Sequence, residues 1–244
     1  MLAALTAASI GRAGTREVVL EWYGQSAFTL RSPAGTVALM DPVPDKMGFD
    51  MPRLEADVVT ISHEHFDHTA VEKASGDPKV VRGLTADKAR WNPIDTRVGD
   101  LRVRSVGTWH DAKRGASRGL NSVFVFETGG LRIAHLGDLG HPLTKAQLAD
   151  IGSVDVVLIP VGGTFTIDAA GAKAVIRQLK PRSVVIPMHF KTARMSLDLP
   201  LATVEPFLKG MKRVRRVEGS KLVIDAANPP SGPEVVLLGL APKG

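Results

Sequence analysis

The chain has 244 residues, a formal net charge of +6, 44% hydrophobic and 23% charged residues, and no cysteine. These are ordinary values for a globular enzyme, and no apolar run reaches the roughly 20 residues that a membrane-spanning helix needs. The absence of cysteine excludes a disulfide framework, a thiolate metal ligand and a thiol nucleophile, while the excess of positive charge favours anionic partners.

Residues 2–10 are apolar but no Lys or Arg precedes them, so they lack the charged start of a secretory signal. Residues 1–14 therefore read as a tail, either frayed or the remnant of a targeting segment, and 15–244 as one domain. The expected compartment is the cytoplasm, with export as the alternative. β-rich runs follow at 18–22, 27–31, 36–40, 58–62, 101–106, 122–126, 131–135, 156–160 and 183–187, most of them closed by Gly, Pro or charged residues. Helical patterns cover 85–90, 144–150, 168–179 and 203–209, with Asp168 and Thr203 suited to N-caps. The early chain is thus a strand meander, and the later chain alternates strand with helix. Lys212, Arg213, Arg215 and Arg216 alternate with Val214 and Val217, as in a half-exposed strand with a solvated face.

Directly after the apolar residues 58–61 stands Ser62-His63-Glu64-His65-Phe66-Asp67-His68. In extended backbone His63 and His65 point to one side, so both can reach one ion. Asp67 and His68 follow as the chain turns and can face a neighbouring ion. Imidazole nitrogen and carboxylate oxygen suit Zn²⁺, with Mn²⁺ and Fe²⁺ as alternatives. Three further candidates each lie just beyond an apolar run: His110, Asp138 and His189. Taken singly, such a residue is more often a cap or a turn. His135 lies inside its strand and reads as a hydrogen-bonded core histidine.

Together, His63-x-His65-x-Asp67-His68, then His110, Gly137-Asp138 and Met188-His189, resemble the metallo-β-lactamase fold superfamily of metal-dependent hydrolases. Residues 22–28 and 137–141 look similar to its ascorbate-phosphate lactonase-like and predicted-hydrolase members, many of which have His where this chain has Gln25. The resemblance implies an α/β fold, a four-layer αββα sandwich, with a dinuclear site at one edge of the sheets. By that likeness His63, His65 and His110 hold one metal, Asp67, His68 and His189 the other, and Asp138 bridges. Asp41 supports the ligands, and Asp67 and Asp138 are the catalytic carboxylates. The implied reaction is attack by a metal-activated water on an ester, lactone or phosphodiester.

Lys113, Arg114 and Arg118 follow His110, and Lys191 and Arg194 follow His189, so these cations either bind an anionic small-molecule substrate or are exposed loop charge. His141 either lines the pocket or caps the helix at Thr144. The alternatives are a redox relative with a diiron site, a binding protein without turnover, and a tRNA or other nucleic-acid phosphodiesterase. The last is disfavoured because no segment suggests a protruding arm.

Overall fold

The computed structural model describes residues 16–241, and the tail expected over 1–14 lies outside the described residues. The chain opens with an antiparallel meander, β1 (Glu17–Gly24), β2 (Ala27–Arg31) and β3 (Val37–Met40). The two-residue strand β4 (Leu54–Glu55) pairs with β6 (Ala74–Ser75), while β5 (Val58–Ile61) and β7 (Lys79–Arg82) extend the meander in parallel. Next come β8 (Asp95–Val98), β9 (Leu101–Trp109), β10 (Leu120–Thr128), β11 (Leu131–His135), α1 (Lys145–Ile151), β12 (Val156–Pro160), α2 (Ala169–Leu179) and β13 (Val184–Met188). The chain closes with α3 (Glu205–Leu208), β14 (Val214–Val217), β15 (Lys221–Asp225) and β16 (Glu234–Leu238). One sheet has the order β15-β1-β2-β3-β5-β7 and the other β14-β16-β13-β12-β11-β10-β9-β8.

Period-two alternation places the core. In β3, Ala38 and Met40 join Val18, Leu20, Phe28 and Leu30 against the second sheet's Val103, Phe124, Phe126 and Ile133, whereas Val37 and Leu39 face the opposite way. Phe124 and Phe126 are wholly buried, each contributing about 1.5–3 kcal/mol by transfer from water. The outward face of the first sheet packs on Val43, Met47, Phe49 and Met51. That segment contains Pro42, Pro44, Gly48 and Pro52, which prevent a continuous helix, so the layer is a loop with one 3₁₀ turn at Asp45–Met47. Over the second sheet the outer layer is helical. α1 and α2 are the crossovers of the parallel run β11-β12-β13.

α2 starts at Asp168, whose side chain accepts from the Gly171 amide, and buries Ala172, Val175 and Leu179 at helical spacing. α1 has a full capping box between Thr144 and Gln147. Two expected helices differ. Residues 85–90 form a turn, because Thr85 Oγ1 donates to Asp87 and accepts from the Arg90 amide, an alternative to helical hydrogen bonds that the Leu84–Trp91 bridge closes off. The helix expected over 203–209 contracts to Glu205–Leu208 with Val204, not Thr203, at its N-cap. β14 does run through the basic segment, largely exposed at the edge of its sheet.

Candidate metal centre

β3, β5, β9, β11 and β13 all deliver a polar residue to the same edge of the sandwich. Beyond β5, His63 and His68 are buried while His65 is exposed, and the His68 amide returns to the His65 carbonyl at 3.1 Å, which turns the chain. His110 follows β9, and His189 follows β13 in left-handed backbone at φ 51°. Asp138 follows β11 after Gly137, whose φ is 52° and at which an added Cβ would meet Asn121 Oδ1 at 2.4 Å. Glycine is required there on both counts. The Asp138 amide then donates to Asn121 Oδ1 at 2.9 Å, bracing the turn from β10.

The seven side chains converge. His63, His65 and His110 form one group with ligand atoms all within 4.8 Å of one another, and Asp67, His68 and His189 form another. Between them, Asp138 Oδ2 lies 3.7 Å from Nε2 of His63, 3.4 Å from that of His68, 3.2 Å from that of His110 and 3.1 Å from that of His189. Asp41 also comes close to His63 and His68, but its oxygens are engaged otherwise. Oδ1 accepts from the Ser62 amide at 2.7 Å, and Oδ2 accepts from Ser62 Oγ at 2.5 Å and from His68 Nδ1 at 3.0 Å. Ser62 Oγ in turn accepts from His63 Nδ1 at 2.9 Å. Both rings are held by their outer nitrogen and present Nε2 inward, the usual arrangement around a metal.

Those inner atoms fit a cation. Nε2 of His63 and of His68 are buried with no hydrogen-bond partner, and His65 Nδ1 lies 3.1 Å from His110 Nε2. Converging nitrogen lone pairs beside carboxylates, with nothing else to satisfy them, are stabilised by a positive ion. Burial pushes His63 well below the ordinary imidazole range, which keeps it a neutral donor. For His68 burial acts the same way but is outweighed by the charges of Asp138 and Asp67, so its affinity for a proton is raised. Burial would raise Asp138, yet His189 and His68 hold it well below the usual carboxylate range.

A cavity of about 290 Å³ opens on this edge, lined by His65, Asp67, His110, Asp138 and His189 and by Phe66, Arg118, Phe165 and Leu199. Several residues expected there lie elsewhere. His141 does not line it: Nε2 accepts from the Trp109 amide at 3.1 Å, Nδ1 donates to the Pro142 carbonyl at 2.6 Å, and the ring packs on Trp109. Lys113 and Arg114 are exposed on the loop that Asp111 organises. Lys191 pairs with Asp198 at 2.9 Å, and Arg194 donates to the Ala241 carbonyl. Among the cations expected near the pocket, only Arg118 lines it. Gln25 is buried behind Asp67, to which its amide donates. His135 is satisfied in the core, between the Ser26 carbonyl and the Gly137 amide.

Asn121, Phe165 and Leu199 are contributors that sequence reasoning missed. A signal existed for Phe165: Gly162-Gly163-Thr164-Phe165 follows β12 at the same sheet edge as the other strand-end residues.

Residues 19–189 match the family model of the beta-lactamase superfamily domain. A UPF0173 metal-dependent hydrolase of Anaeromyxobacter sp. (strain K) is 31% identical, the alignment covering 87% of this chain and 88% of that protein. Another, from Anaeromyxobacter dehalogenans (strain 2CP-1 / ATCC BAA-258), is 32% identical over 83% of this chain and 85% of its own length. A crystal structure of a Thermotoga maritima protein assigned as a Zn-dependent hydrolase of the metallo-β-lactamase superfamily is 36% identical, with a TM-score of 0.73 over 91% of this chain and 98% of that one. With the sandwich fold, the converging histidines and these relatives in agreement, the chain belongs to the metallo-β-lactamase superfamily and is a metal-dependent hydrolase.

Proposed function

We propose that the centre holds two divalent ions, zinc ahead of manganese or iron, and hydrolyses a small anionic ester, lactone or phosphodiester. The observation that carries this reading is the position of Asp138 Oδ2, within 3.7 Å of Nε2 of His63, His68, His110 and His189 and so between the two groups of ligands. His63, His65 and His110 would hold one ion, Asp67, His68 and His189 the other, with Asp138 shared. Five imidazoles and no thiolate favour zinc, and the Thermotoga maritima relative carries a zinc assignment. Ions held there supply an activated water at neutral pH and a Lewis acid for the oxygen on which charge builds.

The chain's own groups have distinct work. Asp138 Oδ1, buried and without a hydrogen-bond partner among the described residues, would take the proton of the attacking water. Asp67 offers a second carboxylate at the cavity wall. Phe66, Phe165 and Leu199 give the cavity an apolar wall.

The test is metal analysis of the purified protein followed by a screen of lactones, phosphodiesters and carboxylic esters with Zn²⁺ or Mn²⁺. About two ions per chain and metal-dependent turnover are expected. Fewer than about one tightly bound ion under metal-replete conditions contradicts the dinuclear reading.

A further inference from the structure

The cavity has walls that metal ligation does not use. Three of them are apolar, Phe66, Phe165 and Leu199, and one is cationic, Arg118. Phe66 is 46% exposed, a large ring left open to solvent beside the ligands, with Lys46 Nζ 3.8 Å from its centre. An exposed aromatic lining a cavity mouth is a contact surface for an apolar ligand.

Arg118 is built into place. The Asp111 carboxylate gathers the amides of Lys113, Gly115, Ser117 and Arg118 at 2.7–3.1 Å, which shapes the loop that carries it. Its guanidinium lies 4.8 Å from the Phe165 ring centre and donates from Nη2 to the Thr164 carbonyl at 3.1 Å. Thr164 is itself held in left-handed backbone at φ 58°, an unfavourable state for a β-branched residue, and its hydroxyl donates to the Pro200 carbonyl at 2.6 Å. Among the described residues Arg118 makes no ion pair, and with one Nη2 hydrogen on Thr164 its second Nη2 hydrogen remains for a ligand beside the neighbouring Nε or Nη1 donor. A stacked, pre-oriented guanidinium with an open pair of adjacent donors suits bidentate binding of a carboxylate or phosphate.

We propose that Arg118 is the specificity-determining anchor of this cavity and that the substrate is an amphipathic organic anion. Its charge lies on Arg118, its apolar part on Phe66, Phe165 and Leu199, and its scissile bond toward the histidines. This rests on the hydrolytic reading above and sharpens it: the anion is a recognition element, separate from the bond that is cut. A cavity of about 290 Å³ sets the scale at a small molecule.

The experiment uses the full chain loaded with Zn²⁺, metal content being measured for each variant. Two esters are compared, 4-acetoxybenzoate and its neutral counterpart phenyl acetate; water cleaves the first to 4-hydroxybenzoate and acetate. We expect kcat/KM to favour 4-acetoxybenzoate by roughly tenfold or more, and Arg118→Gln to bring the ratio near unity through KM with metal content unchanged. Arg118→Lys keeps charge without the planar fork and falls between. Phe165→Ala raises KM for both esters. Equal use of the two esters by the parent protein, or a preference that survives in Arg118→Gln, overturns the proposal. If the parent protein cleaves neither ester, the ester-hydrolase reading fails, and calorimetric binding of 4-hydroxybenzoate then decides the anchor. Binding weakened about tenfold or more in Arg118→Gln supports it; equal affinities, or no binding to the parent protein, refute it.

Discussion

The side-chain amide of Gln25 donates to Asp67 Oδ2 at 2.8 Å, the same carboxylate oxygen that faces His68 Nε2 at 3.5 Å. The Gln25 carbonyl also accepts from the His189 amide at 3.1 Å. One residue, in left-handed backbone at φ 47°, thus ties two members of the Asp67, His68 and His189 group. Partners behind a metal ligand typically alter affinity by about 10–100-fold. With two ions held as proposed, Gln25→Ala is expected to weaken the ion at Asp67, His68 and His189 by that amount and the one at His63, His65 and His110 much less, giving a two-step curve in competitive chelator titration. An unchanged curve would show that the hydrogen bond is incidental.

Asp41 holds His68 by its Nδ1 and Ser62 by both its amide and its hydroxyl. Asn at this position offers a single acceptor oxygen, so at least one of these three donors loses its partner. Asp41→Asn is expected to lower metal affinity by about 10–100-fold in a folded protein, read by circular dichroism together with metal content after dialysis. Ser62→Ala, which leaves the Asp41–His68 contact in place, is expected to do less.

His141 supports the chain at β9 and takes no part in the cavity. Removing its ring leaves the Trp109 amide without its acceptor, at a cost of about 1–3 kcal/mol. His141→Ala should therefore unfold at lower denaturant while its metal content stays the same. A large rise in KM with unchanged stability would return His141 to substrate binding.

Asp100, in the β8–β9 turn, accepts from Ser32 Oγ, from Thr36 Oγ1 at 2.8 Å and from Thr128 Oγ1 at 3.1 Å, so it joins the two sheets at the end away from the histidine cluster. Burial raises its proton affinity, but the hydrogen bonds from Ser32, Thr36 and Thr128 outweigh this, and its pKa lies below the ordinary value. A carboxyl depressed in the folded state contributes stability above its unfolded pKa of about 3.9, and that contribution is lost as pH falls through the folded value. Stability measured by urea unfolding should drop more steeply below about pH 4 in the parent protein than in Asp100→Asn. Identical pH slopes would contradict the assignment.

Much of the centre was legible from residue order. His63, His65, His110, Asp138 and His189 directly follow apolar runs, and a strand end defines both where a side chain sits and which way it points. β2, β11 and β12 were likewise visible as continuous β-rich segments. β7 and β8 were not, because strands such as Asp95-Thr96-Arg97-Val98 are half exposed and polar and acquire their state only from pairing with β9. The turn at 85–90 looked helical because propensity does not register a threonine that bonds its own loop.

The order and chemical type of the residues alone therefore determined the superfamily, the strand-end origin of the ligands and the dependence on metal. Tertiary structure decided which cation faces the cavity. Lys113, Arg114 and Arg118 are equivalent as charges on a loop without periodicity, and only the Asp111 carboxylate, the left-handed Arg114 and the stack on Phe165 select Arg118. It likewise decided that Gln25 serves Asp67 and that His141 serves Trp109. These pairings join residues 42 and 32 positions apart, and a contact of that span exists only after the sheets have brought its partners together.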